Sequence, residues 1–207
     1  MTQQAEKLLY IIRHGETEFN RLNIVQGSGV DTSLNEIGIA QANKFYSFYK
    51  DIPFDKIYTS ALIRTQQSVQ PFIDLGISHK KLSELNEICW GDLEGKSQTD
   101  EQKILFWNVV KKWKEGVLTE KIPNGESPIE MQQRQITALQ HMMQASSEKT
   151  ILICMHGRAI KSFLCLLLNI PLTNMEDFLH TNLGLYLLKY NGDSFELLKR
   201  NDTKHLK

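Results

Sequence analysis

Three short apolar runs stand out from a mixed background. They are Leu8–Ile12 (LLYII), Lys56–Thr59 (KIYT) and Thr150–Cys154 (TILIC). None alternates with polar residues, so each predicts a strand buried on both faces. Near the end, GLYLLKY and FELLKR flank the turn signal NGDS and predict a hairpin. Between the strands the apolar positions shift to helical spacing. Asn35 is placed to cap a helix whose inward face is Ile39, Ala42, Tyr46 and Tyr49. Ser60 is placed to cap another, with Leu62, Val69 and Ile73 inward. Ser127-Pro128-Ile129-Glu130 combines a capping box with a first-turn proline, ahead of Ile129, Ile136, Leu139 and Met143. A helix after TILIC turns Ile160, Phe163, Leu164 and Leu167 inward. Strands alternating with helices predict a layered α/β fold, and 207 residues are most simply one domain, 1–207.

Two of the strands end alike. LLYIIRHGE and TILICMHGR each run from an apolar strand into His-Gly, at His14 and His156. A lone histidine after a strand is ordinarily a hydrogen-bonded structural residue. Two in one context, the first flanked by Arg13, point towards a site. In a parallel sheet both would stand at carboxyl ends of strands, where open α/β sheets bind ligands. The run KIYT ends in Thr59-Ser60, and Arg64 follows one turn into the next helix. An arginine there can reach over the helix N-terminus, which already favours an anion. Two arginines and two histidines make a phosphate-sized electropositive hole: the guanidinium fork suits phosphate, and a neutral imidazole can attack phosphorus. A proton donor is also needed for the leaving oxygen. LNEICWGDLEG offers Glu87, Asp92 and Glu94, and spacing alone does not choose among them.

Composition narrows the partners. Lys plus Arg equals Asp plus Glu at 24 each, so there is no basic excess of the kind nucleic-acid binders carry. No apolar run is long enough to span a bilayer, and the polar start MTQQAEK leads into too short a run for a secretory signal. The expected location is the cytoplasm. Cys89, Cys154 and Cys165 form no CxxC pair, and the last two read as small core residues.

Taken in order, RHGETEFN, the QG that follows, LNEIGIAQA, TSALIRTQQS, LNEICWGDLEG, GESPIEMQQR and MHGRAIKSFL resemble the histidine phosphatase superfamily, in its phosphoglycerate-mutase-like branch. The resemblance covers nearly the whole chain. It implies a three-layer α/β/α sandwich around a mostly parallel sheet and a catalyst needing no metal or other cofactor. It implies that His14 is the phosphorylated nucleophile, that Arg13, Arg64 and His156 hold the phosphoryl group, and that Gly157 lends an amide. Asn20, Gln26 and Gly27 match positions around the phosphate pocket, and Glu87 matches the general acid. Met155 replaces the small hydroxyl residue that many relatives have before the second histidine. Lys161 fits a common basic position, whereas Arg158 is an unusual bulky cation that either reaches the pocket or is solvated.

The same core can hydrolyse a phosphate ester or move phosphate between hydroxyls. Mutases that resemble this chain carry a longer insertion with adjacent arginines. Here the corresponding stretch, EQKILFWNVVKKWKEGVLTEKIPNGES, has lysines and no arginine. Phe106, Val110, Trp113 and Val117 recur there at helical spacing, while Trp90 and Trp107 are candidates for a pocket mouth. The expectation is a phosphomonoester phosphatase with a small phosphorylated substrate. A mutase, a metal hydrolase and a non-catalytic phosphate-binding module are the alternatives. Nothing in the sequence sets the oligomeric state.

Overall fold

The computed structural model describes residues 6–207; the polar start of the chain, residues 1–5, lies outside them. The strands are β1 (Lys7–Arg13), β2 (Lys56–Thr59), β3 (His79–Lys81), β4 (Thr150–Met155), β5 (Leu185–Tyr190) and β6 (Phe195–Asp202). They form one sheet in the order β3-β2-β4-β1-β5-β6. The first four are mutually parallel, and the expected hairpin β5–β6 adds an antiparallel margin. Asn191 builds its turn by accepting the N–H groups of Asp193 and Ser194 on its side-chain oxygen.

Helices cover both faces. Tyr10, Ile12, Ile57, Leu152 and Cys154 share a cluster with α2 (Glu36–Tyr49) and α3 (Ile63–Asp74). Leu9, Ile11, Ile151, Ile153 and Met155 share the other with α4 (Asp100–Lys114), α5 (Pro128–Gln144) and α6 (Gly157–Leu167). Successive residues of one strand thus serve opposite cores, which is why the central runs are apolar throughout. A single-turn helix, α1 (Glu18–Arg21), leaves the site loop; Thr17 and Asn20 close its capping box.

Several helical faces differ from the periodic reading. In α2 the buried positions are Gly38, Ala42, Phe45 and Tyr49, while Ile39 is half exposed. The face is turned by one position because Gly38 must meet the backbone after β1. In α5 Met131, Gln135, Ala138 and Met142 are buried and Ile129 is exposed. Its interior includes a polar residue, Gln135, which donates to the Ala159 carbonyl and accepts from Ser162. In α4 Val109, Val110 and Trp113 are buried, and Val117 lies beyond the helix end, exposed. Ser60 is not the N-cap of α3. Leu62 holds that position, and Asp31 from another loop accepts the Ile63 N–H at 2.7 Å.

The helix α6 was legible throughout: Ile160, Phe163, Leu164 and Leu167 are all buried. Phe163 is 0% exposed against the sheet. Phe163→Ala is expected to lower unfolding free energy by about 3–5 kcal/mol through lost burial and an unfilled cavity. The check is the urea midpoint, measured with an unchanged denaturant slope.

Candidate active site

The β1–β4 ladder pairs Arg13 with Met155, and His14 continues it by donating its N–H to the Met155 carbonyl at 3.0 Å. His14 and His156 therefore leave neighbouring strand ends side by side, with ring centroids 5.2 Å apart. Both are buried.

Their hydrogen bonds settle the tautomers. His14 Nδ1 lies 2.7 Å from the Gly15 carbonyl. A carbonyl only accepts, so the ring proton sits on Nδ1 and the lone pair on Nε2. Burial, then Arg13 and Arg64, hold the His14 pKa well below its ordinary value, so the ring is neutral at pH 7. Arg64 Nε donates to His156 Nδ1 at 3.2 Å, which puts that ring's proton on Nε2, facing Ser60 Oγ at 2.8 Å. His156 is likewise kept neutral, first by burial and then by Arg64.

The two arginines are held by neutral groups. Arg64 is fully buried and donates to the carbonyls of Val30 (2.7 Å) and Gly27 (3.2 Å). Arg13 Nη1 donates to the His180 carbonyl at 2.9 Å, and its buried Nε has no partner among the described residues. Burial lowers the Arg13 pKa to about 10, with Glu87 opposing, so it stays charged at pH 7. Neither guanidinium spends its fork on a carboxylate, and both remain suited to an anion.

Glu87 sits at the start of α6. Its Oε1 accepts from the N–H of Ala159 (2.8 Å) and Ile88 (3.0 Å), and its Oε2 accepts from Arg158 N–H (3.0 Å). It thus caps a helix whose own N-cap residue, His156, makes no side-chain cap. The other two acids of that loop are used elsewhere. Glu94 ties the Trp90 and Gly29 amides together, and Asp92 accepts from Asn124.

The remaining expected residues surround this centre at one remove. Asn20 Oδ1 accepts from Thr17 N–H and from Asn182, and Asn20 lines a cleft of about 360 Å³ with Arg13, Glu16 and Asn182. Gln26 donates to Thr17 Oγ1 and accepts from Thr32. Gly27 acts through its carbonyl on Arg64, and a Cβ there would collide with Glu94. Gly157 opens α6 beside His156.

Arg158 is neither solvated nor free. It is buried, stacks on Trp90 and Trp113 at 5.5 Å each, and is ion-paired with Glu176. Lys161 shares Glu176 at 2.7 Å. Trp90 is therefore core, and Trp107 is exposed on α4. Sequence reasoning missed His180, Asn182 and Ser68. Asn182 donates to the His14 carbonyl (2.9 Å), and Ser68 accepts the Gly15 N–H (2.8 Å). His180 and Asn182 lie in an irregular stretch before β5, where no periodicity marks them.

The sequence profile of the histidine phosphatase superfamily, branch 1, matches residues 9–203. The chain belongs to that superfamily. This histidine phosphatase is 28% identical over 203 residues to a Hydrogenobacter thermophilus protein named phosphoserine phosphatase 2, covering 96% of this chain and 97% of that one. It is 30% identical over 174 residues to the phosphoglycerate mutase of Schizosaccharomyces pombe, covering 79% and 80%. The solved structure of Entamoeba histolytica phosphoserine phosphatase with 3-phosphoglyceric acid superposes with a TM-score of 0.83 at 29% identity, covering 97% and 100%. No helix among the described residues is long and apolar enough to cross a membrane.

Burial of neutral His14 and His156 has a measurable sign. Below the ordinary histidine pKa of 6.5 the unfolded chain binds protons that the folded chain refuses. Stability is therefore expected to fall as pH drops from 6.5 towards the depressed folded values, by about 1 kcal/mol per pH unit for each ring. Urea unfolding at pH 7.5, 6.0 and 5.0 checks this; His156→Asn should show the shallower loss.

Proposed function

We propose that this chain is a metal-independent phosphomonoester phosphatase that works through a phosphohistidine on a small phosphorylated metabolite. The observation carrying the proposal is the tautomer of His14. Its Nδ1 proton is tied to Gly15, so the lone pair of Nε2 is the free end of a neutral ring flanked by two arginines.

In the first step Nε2 of His14 attacks phosphorus and the ester P–O bond breaks. Arg13, Arg64 and the α6 amide at Gly157 meet the charge on the phosphoryl oxygens, as fixed donors do in phosphoryl transfer. Glu87 supplies the proton to the leaving oxygen. Its Oε2 accepts a single N–H, so a lone pair remains on that oxygen to carry the proton. In the second step Glu87 takes a proton from water, the water oxygen attacks phosphorus, and the P–N bond breaks to restore neutral His14. His156 positions Arg64 by accepting from its Nε.

Hydrolysis is favoured over mutase chemistry by the pairing of the nearby cations. Arg134 is bound by Glu126, and Arg158 and Lys161 are bound by Glu176. None is left to hold a second anionic group. The mutase reading keeps support from the Schizosaccharomyces pombe relative. It requires exchange between phosphoglycerate isomers without net phosphate release.

A phosphate-release screen across a metabolite panel tests the proposal. His14→Ala is expected to abolish release, and wild-type turnover in that variant would refute the mechanism. Isomer exchange outrunning phosphate release would establish the mutase instead. Glu87→Gln is expected to lower kcat/KM, which reports the step that breaks the ester bond, about 10²–10⁴-fold on alkyl phosphates. On p-nitrophenyl phosphate, whose leaving group needs no proton, the loss should be far smaller. Equal losses on both would remove Glu87 from the acid role.

A further inference from the structure

A third histidine, His180, closes the site on the side of Arg13. It lies just before β5, far in sequence from the strand-end histidines. Two contacts define its place. Arg13 Nη1 is 3.3 Å from His180 Nδ1 while donating to the same residue's carbonyl. A guanidinium only donates, so Nδ1 must accept and the ring proton sits on Nε2. The second contact is steric. A Cβ built on Gly157 would stand 2.8 Å from His180 Nδ1 and 3.1 Å from its Cε1. The ring therefore lies flat against the first residue of α6, and a glycine is required beneath it. Burial and the nearby cations Arg13, Lys161 and Arg158 push the His180 pKa down to about 3, so the acceptor form persists at neutral pH.

We propose that His180 is a positioning residue for phosphoryl transfer: wedged between Arg13 and Gly157, it sets the guanidinium fork and the first amide of α6 to face one phosphoryl group. Arg13 has few other constraints. Its Nε is unpartnered among the described residues, and no carboxylate pairs with it, so His180 is the group that orients it.

This rests on the phosphatase reading, and the tests separate the two. Orthovanadate, which mimics the transferring phosphoryl group, is titrated against the whole protein by calorimetry alongside kcat and KM on p-nitrophenyl phosphate. His180→Leu keeps bulk but lacks the acceptor. It should weaken vanadate binding and lower kcat/KM about tenfold, the low end for a hydrogen bond to a charged group, at an unchanged melting temperature. His180→Asn, whose Oδ1 can occupy the place of Nδ1, should restore both to within about threefold. Gly157→Ala should cost activity in the wild type and add little to His180→Ala, because the ring it displaces is gone. The proposal is overturned if His180→Leu binds vanadate as tightly as wild type, if Asn fails to restore, or if Gly157→Ala costs as much without the ring as with it. Vanadate binding is read without turnover. Vanadate bound with no phosphate released would overturn the phosphatase reading alone.

Discussion

The pairing of β1 with β4 is the constraint on which the site depends. Register places Arg13 opposite Met155, so the residues that follow, His14 and His156, emerge as neighbours. A slip of one residue would exchange the two faces of β1. Leu9 and Ile11 would leave the α4–α6 core for the α2–α3 core, and the histidines would part. The apolar packing on both faces resists that slip, because each strand residue is committed to one of two clusters. The energy that fixes the geometry of the candidate site is thus mostly hydrophobic burial in the strands, away from the polar groups it aligns.

A second constraint holds the turn after His14. Gly15 and Gly38 meet backbone to backbone: a Cβ on Gly15 would lie 2.7 Å from the Gly38 carbonyl, and one on Gly38 would lie 2.1 Å from that of Glu16. The start of α2 is therefore pressed against the loop that carries His14. Asn35 joins the two, since its Oδ1 caps α2 at Gly38 and its Nδ2 donates to Glu16 at 2.9 Å. The stretch LNEIG thereby serves the loop that carries His14. The same approach turned the buried face of α2 to Gly38 and Phe45 and left Ile39 in solvent.

The central strands and α6 were legible because burial on both faces, or all round, leaves a continuous apolar signature, and the hairpin was legible from its NGDS turn. The partial faces of α2, α4 and α5 were not, because helical spacing alone does not say which of two adjacent stripes meets the sheet. The short edge strand β3, with exposed Lys80 and Lys81, carries no apolar pattern at all. In the site, His14, His156 and Arg64 were readable from strand ends and a helix start. Glu87 was separable from Asp92 and Glu94 only by resemblance, and the structure gives the physical difference: Glu87 alone of the three reaches the α6 amides. His180 had no local signal, since its role comes from two partners, Arg13 and Gly157, distant in sequence and brought together by the fold.

Charge placement explains how a chain of zero formal net charge makes an anion site. The cations around the site fall into two sets. Arg134, Arg158 and Lys161 each meet a glutamate, and their role is to hold α5, α6 and the segment around Glu176 together. Arg13 and Arg64 are oriented by carbonyls and imidazole nitrogens, which fix direction without cancelling charge. Burial makes such uncompensated charge costly, and in the proposed mechanism that cost falls when a phosphoryl group arrives. Neutral histidines suit the arrangement for the same reason. A protonated ring between two guanidiniums would add repulsion, so burial first, and then the two arginines proposed to bind phosphate, keep His14 neutral. In the proposed mechanism the two arginines thus serve both anion binding and, after burial, the neutrality of His14, and a change that neutralised Arg13 or Arg64 would weaken both at once.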